Sequence, residues 1–364
     1  MGDYFYKENH IQIIIIILLI LFILIIYYKY IKVSTNSESF ITIVSVLDDR
    51  AGFYSMLFFT MNHYIYCKNN NYNFKINTDK WLFKYNIGWT DYFEPIKPIE
   101  PIQIYSNSND LDKLELDKLD KLDKLDKLEL DKLDTEKKYN HGDVLDDYTI
   151  REYSNIIPDF YIYNTNTIQE INKIKAKFNL IANNYDSIFI RRGDKLGAES
   201  DYIHEDMYIK LLLEKNPNCK TIFLQTDDYN CYIGLQTYIK QRNLDINLYT
   251  LCDKDSVGII VFENQKNVLN NTTKNKEYIS NILEKLNKTK SVNEMNSEEI
   301  YSHVMDMIVG IDIILNSNIC VTDYQSNVAR FIKLAHNNSN NVFDIMNINN
   351  DIDYNKKVCP AYSF

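Results

Sequence analysis

Glycine and proline are scarce, nine and six in a chain of 364 residues, which excludes collagen-like and proline-rich architectures. Cysteine is sparse too. The six that occur (Cys67, Cys219, Cys231, Cys252, Cys320 and Cys359) are scattered without a Cys-x-x-Cys pair. Neither a zinc knuckle nor a small disulfide scaffold is indicated. Positive charge is in deficit: 40 Lys and Arg against 50 Asp and Glu leave a formal charge of −10. A general nucleic-acid binder needs a basic face, so nucleic acid is not an expected partner. With 45% hydrophobic and 25% charged residues, the chain can build a sizeable core, and wholesale disorder is excluded. At ~150 residues per domain the length suggests two domains plus extra segments.

Two segments stand outside any globular pattern. Residues 11–28 read IQIIIIILLILFILIIYY and carry no charge. At 1.5 Å per residue they span about 27 Å, enough to cross a thin bilayer. Tyr27-Tyr28-Lys29-Tyr30 is not a small-residue cleavage site, so the reading is an uncleaved single-pass anchor. It would sit in a Golgi- or ER-type membrane or a viral or host membrane. Lys7 on one side and Lys29 and Lys32 on the other set no orientation. Residues 110–138 form a Leu-Asp-Lys tract in which Leu recurs mostly every third residue (Leu119, Leu122, Leu125, Leu128). A helix turns 100° per residue, so each Leu drifts about 60° from the last and no lasting seam forms. A solvated insertion is expected.

The remainder alternates strands and helices. Phe40–Leu47 reads as a buried strand and Gly52–Cys67 as an apolar helix. Further strands are expected at Ser187–Ile190, Thr221–Gln225 and Asn318–Thr322. Helices are expected at His204–Glu214, Glu298–Leu315 and Asn327–His336. Such alternation implies an α/β protein with parallel sheets, in which ligands bind beyond the carboxyl ends of the strands. Three polar clusters fall there. Arg191-Arg192-Gly193-Asp194-Lys195-Leu196-Gly197-Ala198-Glu199 follows the first of these strands, Thr226-Asp227-Asp228 the second, and Thr322 to Arg330 closes the third. Arginine's planar fork of donors suits phosphate, Asp194 and Glu199 could pair with the cations or serve as acid–base groups, and Ser326 with the next amides could cradle a diphosphate.

The stretch IFIRRGDKLGAESDYIHEDMYI resembles the first motif of the α-1,6-fucosyltransferase family. TIFLQTDD resembles its second motif and ICVTDYQSNVAR its third; Gly52-Phe53-Tyr54 and the run from Asp79 to Pro95 are similar to its N-terminal domain. The likeness covers roughly 40–105 and 165–345. It implies an α/β fold of two Rossmann-like domains facing a cleft, a GT-B-like arrangement, behind an N-terminal transmembrane helix. The expected organisation is a tail at 1–10, the anchor at 11–28, an N-terminal α/β domain at 29–105 and the insertion at 106–140. The rest of that domain and a connector follow at 141–175, then a nucleotide-sugar-binding domain at 176–350 and a tail at 351–364.

The resemblance also implies an inverting transfer of L-fucose from GDP-fucose to a hydroxyl of a glycan or glycoprotein acceptor, with no metal and no further cofactor. By that likeness Arg191 neutralises the leaving diphosphate, Asp194 and Lys195 position the acceptor, and Glu199 takes the proton from its attacking hydroxyl. Arg192, Asn327 and Arg330 join the donor-binding set. Asp227 and Asp228 line or brace the donor pocket, Ser326 meets the phosphates, and Asp312, with Asp306 as the alternative, reads the guanine edge. The chain departs from the family at Phe189, where His is usual, at Gly193, where Thr is usual, and at Gln325, where Ser is common. Arg-Arg-Gly-Asp also resembles the α-1,2-fucosyltransferases. The alternatives are another nucleotide sugar or a 1,2 linkage on the same scaffold, or a catalytically inactive membrane adaptor. Because the tract lacks a stable apolar face, deleting Asp110–Lys138 is expected to move the melting temperature by less than about 5 °C, measured by differential scanning calorimetry; a larger fall would mean that the tract packs on the core.

Overall fold

The structure, a computed structural model, describes residues 42–97, 99, 147–198, 200–273 and 275–348. The expected anchor at 11–28, the Leu-Asp-Lys insertion, Glu199 and the tail at 351–364 lie outside these residues. Among the described residues no helix is long and apolar enough to cross a membrane.

Strand β1 (Thr42–Val46) leads into helix α1 (Phe53–Asn70), which returns to β2 (Asn73–Asn77), and the two strands share a two-stranded sheet. The strand expected here forms, but it is half-buried and not fully buried. Ser45 and Leu47 turn inward while Val44 and Val46 stay about half exposed, at 49% and 45%. Alternate residues of a strand point to opposite faces, and α1 supplies the apolar side chains packed on one of them. Helices α2 (Asp147–Phe160) and α3 (Thr165–Lys177) follow.

A second sheet contains β3 (Asp186–Ile190), β4 (Thr221–Thr226) and β5 (Asn247–Thr250), separated by α4 (Glu205–Lys215) and α5 (Tyr229–Gln241). Three further helices, α6 (Asn264–Asn271), α7 (Lys276–Lys288) and α8 (Ser297–Leu315), lead to β6 (Cys320–Thr322), α9 (Asn327–Ala335) and β7 (Val342–Asp344). The strand order is β5-β4-β3-β6-β7, and every pair is parallel. The α/β reading with a parallel sheet therefore holds. Strand addition runs one way from β3 to β5, then jumps back to β6 on the other side of β3. That reversal leaves a crevice between the carboxyl ends of β3 and β6, where open α/β sheets take their ligands. Ile190 pairs with Thr226, and Ile188 with both Leu224 and Val321, so the strand ends lie nearly level.

The pleat sorts the core into two layers. Ile188, Ile190, Ile222, Leu224 and Val321 pack with Tyr208 and Leu212 of α4 and with Leu235 of α5. Phe189, Phe223 and Cys320 face the other way and join Val304, Ile308 and Ile311 of α8, Phe331 of α9 and the aromatic residues of α1 and α2. Both faces of β3 are covered, which is why all five of its residues are buried and its middle reads as a continuous apolar run.

Consecutive residues after β3 follow the same alternation. The Arg192 side chain goes beneath α4 and is fully buried. Its Nη2 donates to the Ile203 carbonyl at 2.6 Å and to Glu205 Oε1 at 3.0 Å, and its guanidinium lies over the Tyr202 ring at 4.6 Å. The side chain expected in the donor-binding set thus lies buried on the α4 face, away from Arg191, with its Nε and Nη1 lacking hydrogen-bond partners. Breaking a buried ion pair from one side strands a charge and costs about 3–5 kcal/mol. Glu205→Gln is thus expected to lower stability by that amount in chemical denaturation, and the paired change Arg192→Met with Glu205→Leu to recover most of it.

Candidate functional site

Arg191 emerges on the face opposite Arg192, the one covered by α8. Its Nη2 donates to Asp194 Oδ1 at 2.7 Å, and its Nη1 lies against the Asp227 carboxylate. Asp227, at the end of β4, also accepts from the Arg192 amide at 2.7 Å and from the Ile259 amide at 3.0 Å. One carboxylate therefore joins the loops after β3 and β5 and orients the arginine fork. The Asp194 amide donates in turn to the Ile259 carbonyl at 3.0 Å. Gly193 has a φ of +59°, and a Cβ there would collide with the Ile259 backbone. The glycine at this position is thus demanded by the close approach.

Three buried acceptor or hydroxyl atoms near these strand ends have no hydrogen-bond partner: Asp194 Oδ2, Gln225 Oε1 and Thr322 Oγ1. Native interiors leave few such atoms. Gln225 and Thr322 alternate with Leu224 and Val321, so they share the α8 face with Arg191. Arg192 Nε and Nη1, on the opposite face, and Trp81 Nε1 and Tyr163 Oη are buried without partners as well.

Helix α9 starts beside it. Ser326 Oγ caps the helix by accepting from the Ala329 amide at 3.2 Å. Asn327 donates through Nδ2 to Ser55 Oγ of α1 at 2.8 Å and accepts at Oδ1 from Arg330 Nη1 at 3.0 Å. The amino ends of α1 and α9 thus meet. Gly52 caps α1 without a side-chain bond, no acidic residue occupies that helix's first turn, and a Cβ on Gly52 would touch nothing within 4 Å. Both helix ends carry partial positive charge favourable to an anion.

The other expected residues fall elsewhere or brace the site. Asp228 is buried, caps α5 by accepting from the Asn230 amide at 2.9 Å and takes the Tyr278 hydroxyl; burial raises its carboxyl. Its role is a brace beneath the loop. Asp312 lies in the last turn of α8, at the end that feeds β6, and pairs with Lys175 Nζ at 2.5 Å. It stands toward the amino ends of the strands, so the expected contact with a nucleotide base at the crevice is corrected. Asp306 is closer to the crevice and exposed; partial desolvation, then the negative charges of Asp253, past the end of β5, and of Glu170, raise its carboxyl. Lys195 begins the short helix Lys195–Ala198 and is half-buried. His303 on α8 went unread in the sequence. Its seven-residue spacing from Gly310 sets both on one helix face, but only the packing of Gly310 on Gln225 marks that face as the one toward the sheet.

Among the described residues no three His, Cys, Asp or Glu side chains gather so as to hold a metal ion. A comparison with known protein families finds none that matches the chain, and no curated protein matches it either.

Asp323, in the turn after β6, accepts from the Gln325 amide at 2.8 Å and from the Tyr208 hydroxyl at 3.4 Å. Burial pushes its carboxyl from 3.8 up to about 6. Between pH values near 4 and 6 the native state keeps a proton that the unfolded chain has released. Stability therefore falls as pH rises through that window and levels off above it. Asp323→Asn preserves the acceptor for Gln325. It is expected to raise stability near pH 7.5 by at most about 3 kcal/mol and to flatten the slope between pH 4 and 6 in denaturation curves.

Proposed function

We propose that this chain is a membrane-anchored glycosyltransferase that moves L-fucose from GDP-fucose to a glycan hydroxyl with inversion and without a metal. The observation that carries the reading is the convergence of the three motif segments on one crevice. Arg191, Gln225 and Thr322 reach the same face of a parallel sheet at its point of strand reversal, with unmet hydrogen-bonding capacity between them. Such a crevice suits a nucleotide diphosphate.

In this reading Arg191 is held ready by Asp194 and Asp227, so that its fork meets the diphosphate as negative charge builds on the leaving group. Pre-set orientation matters because no reorganisation is then needed during bond cleavage. The amino ends of α9 and α1 add stabilisation of the same sign. Lys195 would position the acceptor, and Glu199 would take the proton from the attacking hydroxyl. The acceptor would come from the side of α1 and the aromatic N-terminal layer, which together with the larger sheet would form the two halves of a GT-B-like cleft. Residues 11–28 would tether the enzyme to its membrane.

The test is transfer and hydrolysis over a panel of GDP-, UDP- and CMP-sugars with the purified full chain, alongside Arg191→Lys. GDP-fucose is expected to be the turned-over donor. Arg191→Lys, which keeps the charge and loses the fork, is expected to fold normally with activity reduced on the order of 10²-fold or more. Turnover of a different nucleotide sugar would move the proposal to that donor, and full activity in Arg191→Lys would remove the role given to Arg191.

A further inference from the structure

One side chain over the crevice has no part in the account above. His303 precedes Gly310 by seven residues on α8. Seven residues are two helical turns less about 20°, so the two share a face, and His303 stands about 10 Å nearer the helix amino end. Gly310 presses on the side chain of Gln225, the penultimate residue of β4. The imidazole consequently lies past the strand ends, on the face that carries Arg191. The Arg191 charge reaches it, and burial followed by that charge lowers it to about 4, which leaves it neutral near pH 7. Its ring makes no hydrogen bond to any described residue.

We infer that His303 is a ligand-contacting residue of the crevice, gripping the diphosphate of the bound nucleotide together with Arg191 and taking one proton from solvent as that anion enters. The inference rests on the reading of the crevice as a nucleotide-sugar site. An entering diphosphate offsets the Arg191 charge and supplies acceptors to the ring, and both effects favour imidazolium over imidazole. The Arg191 guanidinium comes from the loop after β3. Asp306 lies one turn along the same helix, with Asp253 from past the end of β5 and Glu170 of α3 acting on Asp306. The Asp306 carboxyl is raised by its surroundings, so the proton must be assigned by substitution at His303 itself.

The experiment is calorimetric titration of the full chain with inorganic pyrophosphate and with GDP. It is run near pH 6 and near pH 8, in buffers of different ionisation enthalpy, for the wild type, His303→Gln and His303→Asn. Near pH 6 the wild type is expected to take up about half a proton or more beyond either variant. Its affinity advantage over His303→Gln should grow at least about twofold from pH 8 to pH 6. Equal proton uptake and equal pH dependence in wild type and variants would overturn the inference and leave the nucleotide site standing. If the wild type binds neither probe, the reading of the crevice fails and this inference with it. Should both substitutions impair folding, the histidine ring signals of the wild type decide. A resonance shifting from neutral imidazole to imidazolium on adding pyrophosphate supports the inference, and the absence of any such shift overturns it.

Discussion

The Asp227 carboxylate joins three stretches of chain that are far apart in sequence. It accepts backbone N–H bonds from Arg192 after β3 and from Ile259 after β5, while sitting itself at the end of β4. Its negative charge also lies against the Arg191 guanidinium. Without such an acceptor the two amides would be buried unpaired, at a cost comparable to the loss of several hydrogen bonds. The close approach of Gly193 to the Ile259 backbone, and of Gly258 to Gly193, follows from the same constraint. Loop geometry at the crevice is therefore set by one side chain from the neighbouring strand, which also holds the Arg191 guanidinium in place.

Two adjacent arginines show how a pleat assigns opposite fates to like residues. Arg192 is taken into the core against Glu205 and Tyr202, where its charge organises the start of α4. Arg191, one residue earlier, faces α8 and remains partly accessible, at 12% of its side chain. The chemistry of the side chain is the same in both. What differs is the dielectric and the partners, and those follow from which side of the sheet each residue leaves.

The strands and helices near the motifs were legible in the residue pattern. Asp186–Ile190 and Thr221–Thr226 are apolar runs between turn signals, and Ser297–Leu315 opens with a capping box at Asn296, a local arrangement that a single segment can specify. Less legible were α2, α3, α6 and α7. Their sequences are polar overall, and although α2, α3 and α7 each carry one apolar stripe, they gain their helical state largely by packing that stripe against a neighbour. The half-burial of β1 was hidden for a similar reason: its alternation has valines on the outside, and composition alone does not tell which face is covered.

The presence of a parallel α/β sheet, and of polar clusters at the ends of its strands, was already decided by local patterns of apolar and charged residues, because each strand must bury its apolar side chains and each loop must leave the core. The distribution of tasks within those clusters was not. That Arg192 is internal, that Asp312 pairs with Lys175 away from the crevice, that Gly193 answers to Ile259 and that His303 reaches Arg191 all depend on distances between segments separated by tens of residues. Such distances arise when the sheet fixes the order β5-β4-β3-β6-β7 and α8 is laid across it. No window of local sequence contains that order, since it is the joint outcome of many weak non-local contacts.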